Sequence, residues 1–399
     1  MVNGFTTWLL DGLDELYAGD PGFFDYLLDL VTRPRSKAQI TIFCRDSVLS
    51  TSSEFSDFCD YGSGSTTIRT YRLSEWEHPS KRQFAWLRLE GRLSKPGEQD
   101  TGRVSTFLAA VDGSETARAL SGLPFYCDLL LQQHEIGALP EFADDIALLN
   151  HVIDQMVDRE IKKGLLDLRF FEPNGLSEWL EQIALDYVEA QRYADIDRDQ
   201  AMEYGRFVLR DGLDDKTKHH LLTSLIQFPL FRAGTETGRI AFTHALIAEV
   251  LAARVLSRLL VRNPREVVRR LAWVDLEEPT LVRFIASKFE REAEDALVQA
   301  IRGGGLQRKS FTVALSLLLL ARPERDLVKR IGVGFEGQDL VSVHFKQRDL
   351  SGMSFRCSDL SHAVFTDCDL RGALFEGAFM NRTRFDDKSD LRDAHFGDR

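Results

Sequence analysis

Three closely spaced carboxylates, Asp11, Asp14 and Glu15, follow the apolar run from Trp8 to Leu10. Such a run fits a strand buried on both faces of a parallel sheet, and open α/β sheets bind ligands at the carboxyl ends of their strands. Mg²⁺ in nucleotide sites is commonly held by one or two carboxylates and water, and a further acid can orient the attacking water. The stretch therefore suits a magnesium nucleotide, although a solvated acidic turn after a strand would have the same sequence.

Arg45 stands directly after the next apolar run, Ile40–Cys44. An amphipathic helix around Phe23–Val31 separates the two runs, as a βαβ crossover requires. A guanidinium stays charged and presents a planar fork of donors to phosphate oxygens. Arg45 is thus a candidate phosphate ligand, the other interpretation being a surface ion pair.

The sequence WLLDGLDEL at residues 8–16 closely resembles the Walker B motif of NACHT-type NTPases, which are signal-transducing P-loop ATPases of the STAND class. By that resemblance Asp11 is the magnesium residue and Asp14 and Glu15 are the candidate catalytic acids. Arg45 then ends a strand that resembles sensor 1. The implied cofactors are ATP or ADP with Mg²⁺.

Two later segments resemble nucleotide-contacting parts of the same class. Gly122-Leu123-Pro124 resembles a Gly-x-Pro sequence that opens a helix beside the adenine, and proline suits a first helical turn because its missing donor would be unpaired there. The sequence IAFTHALIAEVLAARVL at residues 240–256 resembles the signature of the NACHT winged-helix region. In that region the histidine corresponding to His244 contacts the β-phosphate of ADP. Imidazole can donate to phosphate and titrates near neutral pH. The plainer interpretations are an ordinary helix start and a buried histidine near a helix N-terminus.

A large apolar residue recurs at every fifth position of the C-terminal segment, a spacing that neither the helical nor the strand period explains. The residues are Phe335, Leu340, Phe345, Leu350, Phe355, Leu360, Phe365, Leu370, Phe375, Met380 and Phe385. A square coil with one unit on each side explains the spacing, because residues four units apart then stack. The predicted columns are Phe335, Phe355 and Phe375, and Phe345, Phe365 and Phe385. The register slips by one residue before Leu391, which predicts a bulge or a terminal cap.

This segment strongly resembles the pentapeptide-repeat family, a right-handed quadrilateral β-helix. Repeat solenoids present long regular faces that commonly bind other molecules, so we expect a protein partner or a sensed ligand here. Residues 335–399 carry 12 acids against 9 bases. That balance disfavours the imitation of DNA by dense surface acid that some gyrase-protecting relatives use.

The composition limits the remaining possibilities. The chain has 399 residues, 44% of them apolar, and a net charge of −12, which argues against a broad nucleic-acid-binding surface. Its five cysteines lack metal-finger spacing, and neither a signal peptide nor a membrane-spanning run is present. We expect a soluble, cytoplasmic protein without a zinc site, a disulfide scaffold or a membrane partner.

The predicted fold class is multidomain: a partial α/β P-loop NTPase sheet, an α-helical and winged-helix region, and a right-handed quadrilateral β-helix. The predicted boundaries are 1–75 for the partial NACHT core with Walker B and sensor 1, 76–145 for a helical domain, 146–260 for the winged-helix and helical STAND region, 261–330 for a helical spacer and 331–399 for the pentapeptide-repeat β-helix.

No Walker A motif, GxxxxGK[ST], occurs in the sequence, and GGGLQRKS at residues 303–310 does not meet its spacing. In the resembling ATPases the phosphate-loop strand is central, so its loss would expose a ladder edge that can pair with another chain. We expect one of three outcomes: Ile68–Leu73 closes the gap, an upstream polypeptide or self-association supplies the strand, or the chain is a truncated product. Strong ATP binding and ATPase activity by this chain alone are not expected.

Two functions of different classes follow. The first is a STAND-type nucleotide switch, or part of one, in which ADP holds a closed state and capture of a ligand at the C-terminal coil favours opening. The ligand must then bind the open form more tightly than the closed form. By resemblance, such proteins act in bacterial signalling and antiphage defence. The second is a non-enzymatic scaffold whose coil binds a partner.

Overall fold

The computed structural model describes residues 75–94, 102–135, 137, 145–163, 166–190, 193–234, 236, 238–277, 279–332 and 334–397, together with two short strands nearer the N-terminus. These strands are β1 (Thr7–Asp11) and β2 (Gln39–Phe43). The chain divides into two compact units, Met1–Ala248 and Glu249–Arg399.

Strands β1 and β2 pair in parallel, with Thr7 opposite Gln39 and Asp11 opposite Phe43. Parallel pairing is what two apolar runs separated by one crossover predict. Both strands therefore end at the same edge of this small sheet. The crossover helix predicted around Phe23–Val31 and the further strand predicted at Ile68–Leu73 lie outside the described residues.

The described remainder of the first unit is mostly helical, and its first half contains α1 (His78–Glu90), α2 (Arg103–Gly113), α3 (Glu115–Leu120), α4 (Pro124–Glu135) and α5 (Asp145–Lys162). Prolines occupy the first turns of α1 and α4, where the missing N–H costs nothing. The sequence predicts a capping box formed by Ser74 and Glu77, but α1 begins at His78 and its N-cap is Glu77.

The second half of this unit combines helices with a small antiparallel sheet. In chain order it contains a 3₁₀ turn (Leu168–Phe170), α6 (Gly175–Leu185) with a π turn (Asp186–Ala190), β3 (Ile196–Asp197), α7 (Arg198–Arg206), α8 (Asp215–Ile226), β4 (Phe231–Ala233), β5 (Arg239–Phe242) and the start of α9 (Ala245–Arg262). From Glu249 onward, α9 belongs to the second unit. Strand β5 is central and antiparallel to both neighbours. The ring of Phe231 in β4 packs against the rings of Trp179 in α6 and Phe242 in β5. The sequence predicts a helix and short strand over Leu221–Phe231, a turn over Ala233–Gly238 and a strand running into a helix over Ile240–Leu256, and α8, β4, β5 and α9 follow that order.

The second unit continues with five helices, α10 (Pro264–Arg270), α11 (Thr280–Ser287), α12 (Arg291–Arg302), α13 (Arg308–Ala321) and α14 (Leu327–Ile331). Helix α13 is the core of the group, because it is buried along most of its length and packs on α10, α11 and α12. Among the described helices, none combines the length and the apolar content that crossing a bilayer requires.

The predicted square coil is present at the end of the chain. Its regular strands, β6 (His344–Lys346), β7 (Val364–Thr366) and β8 (Arg384–Phe385), form a parallel sheet along one side. The two predicted phenylalanine columns are confirmed. Rings twenty residues apart stack nearly parallel in most of these pairs, with centroids 4.9 Å apart for Phe345 and Phe365 and 5.0 Å apart for Phe355 and Phe375. The first pair, Phe335 and Phe355, is tilted by 31° with centroids 5.3 Å apart.

The register slip is a bulge. Val364 pairs with the residue twenty positions later, Arg384, whereas Asp369 pairs with the residue twenty-one positions later, Asp390. After this insertion Phe396 stacks on Phe375 with centroids 4.9 Å apart. The extra residue lies in the segment 386–389, where the Ser389 hydroxyl donates to the Asp386 carboxylate at 2.7 Å. The columns thus continue through the insertion.

Within the second unit, the helices close the first turn of the coil. The Thr312 hydroxyl of α13 donates to the carbonyl of Asp339 at 2.5 Å, and the backbone N–H of Asp349 donates to the carbonyl of Arg325 at 2.7 Å. Arg348 is 2% exposed. Its guanidinium donates to the carbonyl of Leu319 in the last turn of α13 and to those of Arg322 and Glu324 just beyond it. Solenoids need such caps at their ends.

Candidate functional site

The acidic edge that the sequence predicts falls only partly within the described residues. Asp11 is the last residue of β1, and Phe43, opposite it, is the last residue of β2. Arg45 follows β2 by two residues in the sequence and lies outside the described residues, as do Asp14 and Glu15. The two strands therefore end side by side. The roles assigned to these four side chains stay predictions.

Pro124 opens α4, as the Gly-x-Pro pattern predicts, and its ring is exposed. The preceding turn is tightly held, because the backbone N–H of Trp76 donates to the carbonyl of Gly122 at 2.6 Å. A Cβ at Gly122 would lie 3.2 Å from the Glu75 carboxylate oxygen Oε2, so the glycine permits close approach of that acid. Lys81 donates to the hydroxyl of Ser121 at 2.8 Å.

His244 lies just before α9 and caps it. Its ring nitrogen Nδ1 accepts the backbone N–H of Leu246 at 3.2 Å, which satisfies one of the donors that a helix N-terminus leaves unpaired. Because Nδ1 accepts, the neutral ring carries its proton on Nε2. Burial lowers the pKa of His244, and the nearby Glu75 carboxylate partly opposes that shift. The ring is therefore a neutral donor through Nε2 at neutral pH.

The structure joins the Pro124 and His244 segments, which are far apart in the sequence. The Tyr126 hydroxyl, two residues into α4, lies 2.8 Å from the hydroxyl of Thr243. Thr243 in turn donates to the carbonyl of Leu230 at 3.2 Å, so Tyr126 is the donor between the two hydroxyls. Burial raises the pKa of Tyr126, which keeps the phenol protonated and able to donate.

We call this cluster the Pro124–His244 site; it comprises Glu75, Lys81, Gly122, Pro124, Tyr126, Thr243 and His244. It presents an imidazole donor and an exposed proline ring beside an acid and an ammonium group. The proline can pack against a planar apolar ring, and the imidazole can donate a hydrogen bond to an anionic oxygen. The negative charge of Glu75 would repel such an anion. Because Glu75 is exposed, its side chain can turn away from an incoming anion at little cost. Among the described residues, no cluster of histidine, cysteine or acidic side chains could hold a metal ion.

The sequence predicts Pro124 and His244 as site residues but not the groups that connect them. Tyr126 lies two residues after Pro124 and Thr243 directly precedes His244, and that closeness in the sequence was the available signal. Glu75 and Lys81 carried no motif. Their proximity to Gly122 depends on how the segment before α1 folds over the turn before α4.

The outer surface of the coil is a second candidate site. One side carries Asp349, Asp369 and Asp390, each paired with a cation: Lys329 at 2.7 Å, Arg371 at 2.7 Å and Arg392 at 2.6 Å respectively. On another side Arg356 pairs with Glu376 at 3.0 Å. These acids are neutralised by neighbouring bases, so this surface does not resemble the continuous negative charge of a DNA duplex.

Comparison with known proteins supports the assignment of the coil. The family profile for pentapeptide repeats matches residues 345–382 and 358–398, with 8 copies. A search of curated proteins finds no match to the chain. The C-terminal segment therefore consists of pentapeptide repeats, a repeat type suited to interaction with other molecules.

Proposed function

We propose that this chain belongs to a STAND-type nucleotide switch of the NACHT kind, in which the Pro124–His244 site contacts the nucleotide and the coil captures a partner. The observation that carries the proposal is the hydrogen bond between Tyr126 and Thr243. The bond joins the two segments that resemble separate nucleotide-contacting motifs, because Tyr126 lies two residues after Pro124 and Thr243 directly precedes His244.

The chemistry of the site supports this assignment. A phosphate oxygen accepts hydrogen bonds, and the neutral His244 ring offers Nε2–H as a donor. The exposed ring of Pro124 offers a flat apolar surface to a base. Lys81, beside the turn at residues 121–123, adds one positive charge near this surface.

The two N-terminal strands add a second line of support. The parallel pair places the ends of both strands, Asp11 and Phe43, at one edge of the sheet, where open α/β sheets bind ligands. In the proposed switch Asp11 would hold Mg²⁺, Asp14 and Glu15 would act on the attacking water, and Arg45 would reach the phosphates. The antiparallel sheet of β3, β4 and β5 beside α8 and α9 is compatible with a winged-helix region.

The coil supplies the input of the proposed switch. For a captured partner to open the protein, it must bind the open state more tightly than the ADP-bound state. A ratio of about 10⁴ converts a nearly closed population into a nearly open one. Partner binding should therefore weaken ADP binding, and ADP should weaken partner binding by the same factor.

Photolabelling of the whole chain with 8-azido-ADP and Mg²⁺ tests the nucleotide assignment. We expect weak binding, on the order of millimolar, and cross-links in the peptides that contain Pro124 and His244, removed by excess ADP. His244→Ala should reduce the labelling, whereas His219→Ala, at an exposed histidine of α8, should leave it unchanged. Labelling that ADP does not compete, or that maps elsewhere, would contradict the proposal and leave a nucleotide-independent repeat protein.

A further inference from the structure

One five-residue unit of the coil has phenylalanine at a position where the equivalent units have aspartate. In alternate units the residue before the central apolar side chain is aspartate, and its carboxylate accepts the backbone N–H two residues later at 3.0–3.2 Å. These residues are Asp339, Asp349, Asp359, Asp369 and Asp390. The bond forms an Asx turn, which holds the corner of the coil. The corresponding residue of the remaining unit is Phe379.

Phe379 keeps the backbone of its position but not the side-chain bond. Its N–H donates to the carbonyl of Ser358 at 2.9 Å, and its carbonyl accepts the N–H of Leu360 at 2.7 Å, as in the other units. The phenyl ring is 68% exposed. The chain thus gives up a turn-forming hydrogen bond and exposes a large apolar side chain, with no gain in packing. Such a local exception to a repeat rule is typical of a functional position.

Two arginines follow Phe379 around the same corner of the coil. Arg382 occupies the corner with φ of 56°, Arg384 lies on the adjoining side, and both are exposed. No acidic residue occurs from Gly377 to Phe385. Within the described part of the coil, neither guanidinium lies at ion-pair distance from a carboxylate, whereas Arg356, Arg371 and Arg392 are all paired.

We propose that Phe379, Arg382 and Arg384, together the Phe379 patch, form the docking site of a protein partner that presents an apolar pocket bordered by carboxylates. Aromatic and arginine side chains are the types that dominate binding energy at protein interfaces. The two guanidinium groups, which have no ion-pair partner within the described part of the coil, complement acids at the border of such a pocket.

A protein fits this patch better than a nucleic acid. Nucleic-acid binding draws its affinity from many phosphate contacts, commonly about 6–10. The patch offers two cations on a chain of net charge −12. The inference rests on the coil alone and is independent of the nucleotide site.

Peptide selection on the intact chain tests the proposal. Random-sequence peptides displayed on phage are selected on the immobilised protein, and synthetic copies are measured by calorimetry. We expect the selected peptides to combine large apolar residues with aspartate or glutamate. Phe379→Asp and the double variant Arg382→Glu/Arg384→Glu should each weaken binding at least about tenfold. The matched control His395→Asp adds the same charge at an exposed position preceding a central phenylalanine on another side of the coil and should leave binding unchanged.

A stability measurement separates a binding role from a structural one. Phe379→Asp restores the aspartate of the repeat, so its melting temperature should equal or exceed that of the wild type while binding is lost. The proposal is overturned if no peptide is selected, if selected peptides bind Phe379→Asp as tightly as the wild type, or if they lack acids. It is also overturned if single-stranded oligo-dT binds the Phe379 patch more tightly than the peptides do.

Discussion

At the scale of single residues, His244 combines a structural role with a chemical one. By accepting the N–H of Leu246, Nδ1 stabilises the first turn of α9 and leaves Nε2 as the donor. Protonation of the ring would remove that acceptor and place a charge in a half-buried position. The cap and the predicted phosphate contact therefore depend on the same neutral tautomer.

We predict that His244 makes stability depend on pH. Burial lowers its pKa in the folded protein, so below the ordinary histidine pKa the unfolded chain binds more protons than the folded chain. The stability present above that value should be lost as the pH falls through the ordinary pKa towards the lowered one. His244→Asn keeps a capping side chain without this titration, and the difference between its melting temperatures and those of the wild type should grow in its favour from pH 7.5 to pH 5.

The control for this experiment is His219→Asn, at an exposed histidine of α8. It should follow the wild-type pH dependence. A wild-type profile that His244→Asn reproduces at every pH would show that the cap does not titrate.

At the scale of elements, the junction between α13 and the coil depends on one buried guanidinium. Arg348 donates to one carbonyl in the last turn of α13 and to two carbonyls just after it, and carbonyls of the last turn have no N–H partner within the helix. Burial lowers the pKa of Arg348, which reflects the cost of placing a charge there. The carbonyl bonds offset that cost and fix the first turn of the coil against the helix.

We predict that Arg348→Met lowers the free energy of unfolding of the second unit by about 2–4 kcal/mol, because buried carbonyls lose their donors. The free energy of unfolding of Arg348→Lys should lie between those of the wild type and Arg348→Met, since an ammonium group cannot span all three acceptors. Urea unfolding monitored by Trp273, the only tryptophan of residues 249–399, measures the change. The control Arg356→Met removes an exposed guanidinium and should change the midpoint little. Equal effects of the Arg348 and Arg356 substitutions to methionine would contradict the assignment.

At the scale of the whole molecule, the two compact units have separate apolar cores. The first includes Trp179, Phe231 and Phe242 around the small antiparallel sheet. The second includes the buried face of α13 and the phenylalanine columns. Each unit therefore has the internal contacts that cooperative unfolding requires.

We predict two calorimetric transitions that respond to different substitutions. Tyr126→Phe removes the bond to Thr243 at a cost of about 1 kcal/mol and should lower only the transition of the first unit, by about 2–4 °C. Arg348→Met should lower only the transition of the second unit. A single transition that both substitutions shift would show that the units unfold together.

Several features of the fold could be predicted from the sequence because they depend on neighbouring residues. Pro124 predicts a helix start wherever that helix packs, and the breaks at Pro264 and Pro323 separate the helices of the second unit. By contrast, a capping box formed by Ser74 and Glu77 predicts a helix that starts directly after Ser74, whereas α1 starts at His78. Pro79 suits the first turn of the observed helix, whereas a helix capped by Ser74 would place it further inside.

The five-residue period of the sequence is enough to predict the square coil, its two phenylalanine columns and the site of its register slip. Those contacts repeat at one fixed separation, so the period of the sequence contains their geometry. The burial of Arg348, the bond between Tyr126 and Thr243, and the exposure of Phe379 beside arginines that have no ion-pair partner in the described part of the coil are visible only in the folded chain. Burial and pairing at these positions depend on which distant segments pack nearby, and no local period of the sequence contains that information.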